Sequence, residues 1–265
     1  MSTELQTDSF LRIASISVAC YDYLITLPVE LRMYRSTSNL NFSWSISRVL
    51  FILIRYTSIT LLAVSNVGYF HHGFSAKACS RYYLVAPAFK VLQIMISQVI
   101  IGYRTWNIFQ RSRYMGMFLL AFGLVITALE WYANFDSRTP TQKGGNCSPG
   151  NLKARVPQWV FYLLAMVFDA VTILLSSFSL IKSAGGISKM SSVLRMLFYD
   201  GLGYIAVLTA INVMNLILYR NSIEHGEQSP GASFGYTLVW IMSQRILIHI
   251  HGECIRSLKL AFTEG

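Results

Sequence analysis

Two stretches of this chain constrain it most: Phe118 to Ala128 carries no charge, and Phe161 to Leu175 carries only Asp169. Each lies in a longer apolar segment, and at about 1.5 Å per helical residue such a segment crosses a hydrocarbon core of about 30 Å. With 54% hydrophobic and 13% charged residues and a mean hydropathy of +0.46, the chain is too apolar for an ordinary soluble domain, in which about a quarter of residues are charged. The sequence therefore predicts an all-α fold, an integral membrane bundle of about seven transmembrane helices forming one domain over residues 1–265.

The spans read as 9–34, 45–68, 83–108, 114–133, 156–181, 193–219 and 234–252. Asp22, Pro28 and Glu30 interrupt the first and leave its purely apolar part short. Pro87 and Pro157 fall in the first turns of the third and fifth, where a missing N–H costs no helix hydrogen bond. Trp44, Tyr83, Trp106, Trp131, Trp159, Tyr219 and Tyr236 cluster near span ends, as rings with a polar edge do at a headgroup interface. The N-terminus, with Glu4 and Asp8, lacks the basic region and cleavage site of a secretory signal peptide, so the first helix is expected to insert uncleaved.

The net charge of +10 forms no contiguous basic face, which argues against nucleic-acid binding. Basic residues are concentrated in the short third and fifth connections, with Arg111, Arg113, Lys182 and Lys189. This bias predicts an outside N-terminus and a cytoplasmic C-terminus. The longest polar connection, Asn134 to Arg155, then lies outside. After the seventh span, Cys254, Ile255, Leu258 and Phe262 interleave with Arg256 and Lys259, predicting a short interfacial C-terminal helix, with Cys254 an unmodified thiol.

Several segments carry a resemblance: Tyr21-Asp22-Tyr23-Leu24-Ile25-Thr26-Leu27 with Glu30, Trp44-Ser45 with Val49-Leu50-Phe51 and Arg55-Tyr56, and Phe168-Asp169. Late in the chain follow Leu194-Arg195, Asp200-Gly201, Tyr204, Asn212, Asn215-Leu216, Ser243 and Arg245-Ile246-Leu247. The chain resembles a fungal, basidiomycete-type family of multi-pass membrane proteins built on a domain of unknown function, with a Tyr-Asp-Tyr-Leu-x-Thr-Leu hallmark. It departs from that family's pattern at Ile54, where an Asn is usual, and at Arg48, where a Lys is usual. The resemblance implies a fold and no activity.

Ionisable groups inside spans are costly and face the bundle interior, which makes Asp22, Arg55, Lys90, Glu130, Asp169, Asp200 and Arg245 the candidate polar core. Depth counting pairs Asp22 with Arg55, Asp200 with Arg245 and Lys90 with Glu130, and leaves Asp169 near mid-depth with no basic partner. Interhelical ion pairs that fix register account for most of these charges without a ligand. Asn212 and Asn215 share a helical face and suit interhelical hydrogen bonds.

The seventh span has no lysine for a retinal Schiff base. His249 and His251 point to different faces and His71 and His72 are adjacent, so neither pair predicts a metal site; no cofactor is implied. Seven spans, an outside N-terminus, an outer disulfide and a tail helix make the layout receptor-like, although Gly102-Tyr103-Arg104 stands where G-protein-coupled receptors carry Asp/Glu-Arg-Tyr. The expected function is ligand sensing. Its expected partners are membrane lipids and an apolar small molecule, the cytoplasmic partner being unidentified, in the plasma membrane or another secretory-pathway membrane.

The alternative is an integral-membrane enzyme acting on an apolar or isoprenoid-like substrate, with Asp169, Asp200 or Glu130 as general acids. A transporter fits least, because the helices are nearly unbroken and no inverted repeat is evident. Cys79 and Cys147 fall on the same, oxidising side and are expected to pair. Of the two Asn-x-Ser/Thr acceptors, Asn146 is expected outside and Asn41 inside. Glycosidase mapping should therefore find sugar on Asn146 alone; sugar on Asn41 would reverse the orientation.

Overall fold

The computed structural model describes residues 2–35, 42–136, 138–141, 145–150, 159–184 and 231–263, with scattered positions between 203 and 217. It is all-helical apart from one small hairpin. The helices are α1 (Ser2–Arg35), α2 (Phe42–Phe70), α3 (Ala76–Tyr82), α4 (Val85–Ile108), α5 (Arg113–Phe135), α6 (Trp159–Ala184) and α7 (Ala232–Thr263). Among the described residues, five stretches are long and apolar enough to cross a membrane: Asp8–Arg32, Ile46–Phe70, Ala76–Ile108, Arg113–Phe135 and Trp159–Lys182. The expected sixth span lies largely outside the described residues, though those described between 203 and 217 are helical; the seventh falls in α7.

Two element boundaries differ from expectation for local reasons. The third span begins as the separate helix α3, and the chain breaks at Tyr83 and Leu84 before α4. Pro87 has no N–H to offer the carbonyl of Tyr83 four residues earlier, so the helix cannot continue smoothly through that point. At the other end of the chain, the backbone expected to form a short interfacial helix instead continues α7 unbroken to Thr263. No proline stands between Ala232 and Thr263, and the two internal glycines, Gly235 and Gly252, cost a helix only about 1 kcal/mol each.

The bundle is polar inside and apolar outside. On α1 the inward stripe is Arg12, Ser15, Ala19, Asp22, Thr26 and Glu30, all buried, whereas Phe10, Ile13, Val18, Tyr21, Leu24 and Leu31 are exposed. That arrangement would be unstable in water and is natural in lipid, where helix association relies on close packing and interhelical hydrogen bonds. On α5 only Leu119, Ile126, Glu130, Ala133 and Asn134 turn inward, and its aromatic and leucine-rich remainder faces outward, as befits an edge helix. By contrast α4 packs against α2, α5, α6 and α7, and α7 between Ala232 and Leu247 is buried on nearly every side. The main core joins Phe51, Ile54, Ile100, Ile101, Ile173, Tyr204, Trp240 and Leu247.

One end is capped by a disulfide between Cys79 and Cys147, with a hairpin pairing Thr139–Thr141 antiparallel to Ser148–Gly150. The capping loop docks tightly on α2: Cys147 donates its N–H to the carbonyl of Gly68 at 3.0 Å. A Cβ at Gly68 would stand 2.9 Å from the Cys147 carbonyl oxygen, so only glycine permits this approach. Gly145 has φ of 89° and hydrogen-bonds Phe74 through its carbonyl, a conformation that side chains other than glycine's resist. Serine in place of Cys79 should release a loop spanning 68 residues and lower stability by up to about 4 kcal/mol in the chain-entropy account. Detergent melting would read the loss, and non-reduced peptide mapping of the native chain should recover the two cysteines as one linked pair.

Candidate functional site

Buried polar side chains form two clusters, one toward each end of the bundle. Away from the disulfide, Asp22, Thr26 and Glu30 stand at successive turns of α1 because a spacing of four keeps them on one face. Arg55 of α2, with no exposed surface, reaches across to them. Its Nε lies 3.1 Å from Glu30 Oε2, its Nη1 donates to Thr26 Oγ1 at 2.8 Å, and its Nη2 donates to the Tyr23 carbonyl at 3.1 Å. The guanidinium also lies over the Tyr23 ring at 4.1 Å. The Arg55 to Glu30 contact has ion-pair distance but lacks hydrogen-bond alignment, so it acts mainly as charge compensation.

Arg55 was expected to pair with Asp22, and the structure gives each a different partner. Asp22 lies 3.2 Å from Arg245 of α7, which stays about half exposed, and accepts from Gln244 Nε2 at 3.4 Å. Gln244 also accepts from Arg55 Nη1 at 3.3 Å and from Trp240 Nε1 at 2.9 Å, so one amide bridges the two ion pairs. Depth counting missed this because Glu30 lies two turns beyond Asp22 on the same face and offers a second carboxylate. Arg245 was expected to meet Asp200; Asp200, Asn212 and Asn215 lie outside the described residues.

Nearer the disulfide, α4 presents Lys90, Gln93, Ser97 and Gln98 to its neighbours. The Lys90 side chain is almost wholly buried, with Nζ 4.0 Å from the Phe161 ring centroid and 4.4 Å from that of Tyr162, whose hydroxyl accepts from it at 3.4 Å. Its expected partner Glu130, fully buried on α5, lies within electrostatic reach but not at ion-pair distance among the described residues. Glu130 Oε1 instead accepts from Gln98 Nε2 at 2.6 Å, and its other oxygen has no hydrogen-bond partner.

Asp169 of α6 is within electrostatic reach of Glu130 and Tyr204 and forms no ion pair among the described residues. It shares its helix face with Ala165, Thr172 and Ser176, which are buried, whereas Leu163, Val167, Leu174 and Phe178 point outward. Asp169 is nonetheless only partly buried.

Hydrogen bonds tie this second cluster to the rest. Gln93 Nε2 donates to Ser58 Oγ and to the Tyr236 carbonyl, both at 2.8 Å, while Gln93 Oε1 is buried without a partner. Ser97 joins Ser243 at 2.8 Å and Tyr204 at 3.2 Å. At the far end of α4, Thr105 joins Ser176 at 2.8 Å. Reading only charges overlooked Thr26, Gln93, Ser97, Gln98, Tyr204 and Gln244. Their signal was available: Lys90, Gln93 and Ser97 recur at helical spacing inside an apolar run.

Residues 10–60 match the model of a family described as a family of unknown function, DUF6533. The match takes in α1 from Phe10 onward and the first part of α2, and with them Asp22, Thr26, Glu30 and Arg55. None of the curated proteins matches the chain. Glu30→Gln and Arg55→Gln, each removing one side of a buried ion pair, should each cost about 3–5 kcal/mol, and the double variant should cost clearly less than their sum. Asp22→Asn combined with Arg55→Gln should be closer to additive, because Gln244 lies between them. Detergent melting of the six proteins, wild type included, decides between the two pairings.

Proposed function

We propose that this chain is a receptor-like, ligand-sensing membrane bundle whose ligand site is the cluster of Lys90, Glu130 and Asp169. The observation that carries this is the placement of α4. It is fixed at the disulfide end through α3, holds Lys90 in the cluster, and then hydrogen-bonds α2, α5, α6 and α7 through Gln93, Ser97, Gln98 and Thr105. A molecule that engages Lys90 or Glu130 competes for the side chains that hold α4 to its neighbours. Its differential contact with two packings of α4 is what a sensor requires.

The disulfide supports an orientation and a location, because such a bond persists on an oxidising side and so favours the lumenal or outer face of a secretory-pathway membrane. The start of α1 sits at the same end, where Ser9 meets the Tyr69 hydroxyl at 3.1 Å and Arg12 donates to Ser65 Oγ at 3.3 Å. This supports an outside N-terminus.

A second reading, an enzyme acting on an apolar substrate, is favoured by one observation: Glu130 and Asp169 are two buried or half-buried carboxylates close enough to influence each other. Such a pair can divide general-acid and general-base roles. The two readings separate on the purified protein. Stripping co-purified apolar molecules should raise backbone hydrogen exchange across 98–112 in the wild type but not in Lys90→Met, and no molecule should be chemically altered. Conversion of a co-purified molecule to a new mass, lost in Glu130→Gln or Asp169→Asn, would replace sensing with catalysis.

A further inference from the structure

We infer that Asn146 is glycosylated only while the Cys79–Cys147 bond is still open, so that closure of the disulfide cap ends the period in which the acceptor can be used. The inference rests on the orientation proposed above, with the disulfide end lumenal, and not on the sensing of a ligand. Asn146-Cys147-Ser148 is an Asn-x-Ser acceptor whose middle residue is itself a disulfide cysteine. In the folded cap the neighbours of Asn146 are held on both sides. The Gly145 carbonyl accepts from the Phe74 N–H at 3.2 Å, the Cys147 N–H donates to the Gly68 carbonyl at 3.0 Å, and Ser148 pairs with Thr141 in the hairpin. Cys79 and Cys147 are buried, and so is the amide oxygen of Asn146.

Sugar transfer needs the opposite of these conditions. The Asn146 Nδ2 must displace a diphosphate from the anomeric carbon of a polyisoprenyl-diphosphate-linked oligosaccharide: a C–N bond forms, the C–O bond to the diphosphate breaks, and the amide gives up a proton to a base of the transferase. The transferase must therefore surround an amide whose oxygen the folded cap covers. Depth adds a second barrier. Gly68 lies within the membrane-spanning stretch Ile46–Phe70, so the contact from Cys147 draws the acceptor down to the last turn of that span. Before closure, the chain between Phe135 and Asn146 can extend by about 3.3 Å per residue and carry the acceptor clear of the membrane surface. Closure ends this reach: the two thiols give up two protons and two electrons to a lumenal disulfide, which is reduced to a dithiol.

The test follows the full chain as it is translated into microsomes, where sugar is read on newly made chains whether or not they are stable later. Cys79→Ser removes the bond and leaves the acceptor intact. Glycosidase shift and peptide mass should find sugar on Asn146 in a minority of wild-type chains and in most Cys79→Ser chains. Wild-type chains translated under dithiothreitol should match the variant, which repeats the comparison without a substitution. Ser148→Ala should abolish the sugar in every condition and so assign it to Asn146. Occupancy in Cys79→Ser no higher than in the wild type overturns the inference and leaves the orientation standing. Sugar on Asn41 overturns both, and an Asn146 without sugar in wild type and variant alike overturns the inference as well.

Discussion

A guanidinium with no access to solvent depends on partners inside the protein, and Arg55 finds them on two helices besides its own. Glu30, Thr26 and the Tyr23 carbonyl come from α1, and Gln244 comes from α7. In hydrocarbon there is no water to fall back on, so these contacts fix the rotation and depth of α1 against α2 and of α7 against both. Lipid supplies little drive for helices to associate, and interhelical polar contacts of this kind, individually worth about 0.6–2 kcal/mol, do a large share of the positioning. The outward apolar faces of α1 and α5 follow from the same constraint, since every inward position is committed to packing or polar contact.

The two polar clusters differ in how completely they are satisfied. Around Arg55 the cation and the carboxylates are matched and bridged through Gln244, the arrangement expected of structural glue. Around Lys90 they are not: the ammonium rests on rings, and one Glu130 oxygen and the Gln93 amide oxygen have no donor. Buried polar groups in proteins are nearly always partnered, and the exceptions here are spread through the bundle, Arg55 Nε, Asn66 Oδ1 and Ser233 Oγ among them. Stability in this part of the bundle comes instead from the disulfide cap, which anchors the start of α4 beside the close approach at Gly68.

Much of this was legible in the chain itself. The apolar runs gave the spans to within a few residues at the α4 to α5 turn, observed between Ile108 and Arg113, and the side assignment paired Cys79 with Cys147. The break before α4 was also present in the sequence as Pro87, but its position within a first turn concealed the interruption it imposes on the preceding α3. The extent of α7 was hidden for the opposite reason, because the polar tail looks like a change of environment while nothing in it stops a helix.

Hydropathy acts residue by residue along the chain, so the sequence alone determined that this is a membrane helical bundle and roughly where most of its described helices run. Partner choice acts between helices, and depth alone does not say which of two charges on one helix face a neighbour meets. Asp22 and Glu30 share a face of α1, and Arg55 and Arg245 both lie within reach of it. Only the rotation and crossing of α1, α2 and α7 decided that Glu30 takes Arg55 and Asp22 takes Arg245, with Gln244 between them. The same holds at Lys90, where depth suggested an ion pair with Glu130. Tertiary packing instead gave Glu130 to Gln98 and set the ammonium among aromatic rings, because side-chain direction around each helix, which depth does not encode, determines what touches what.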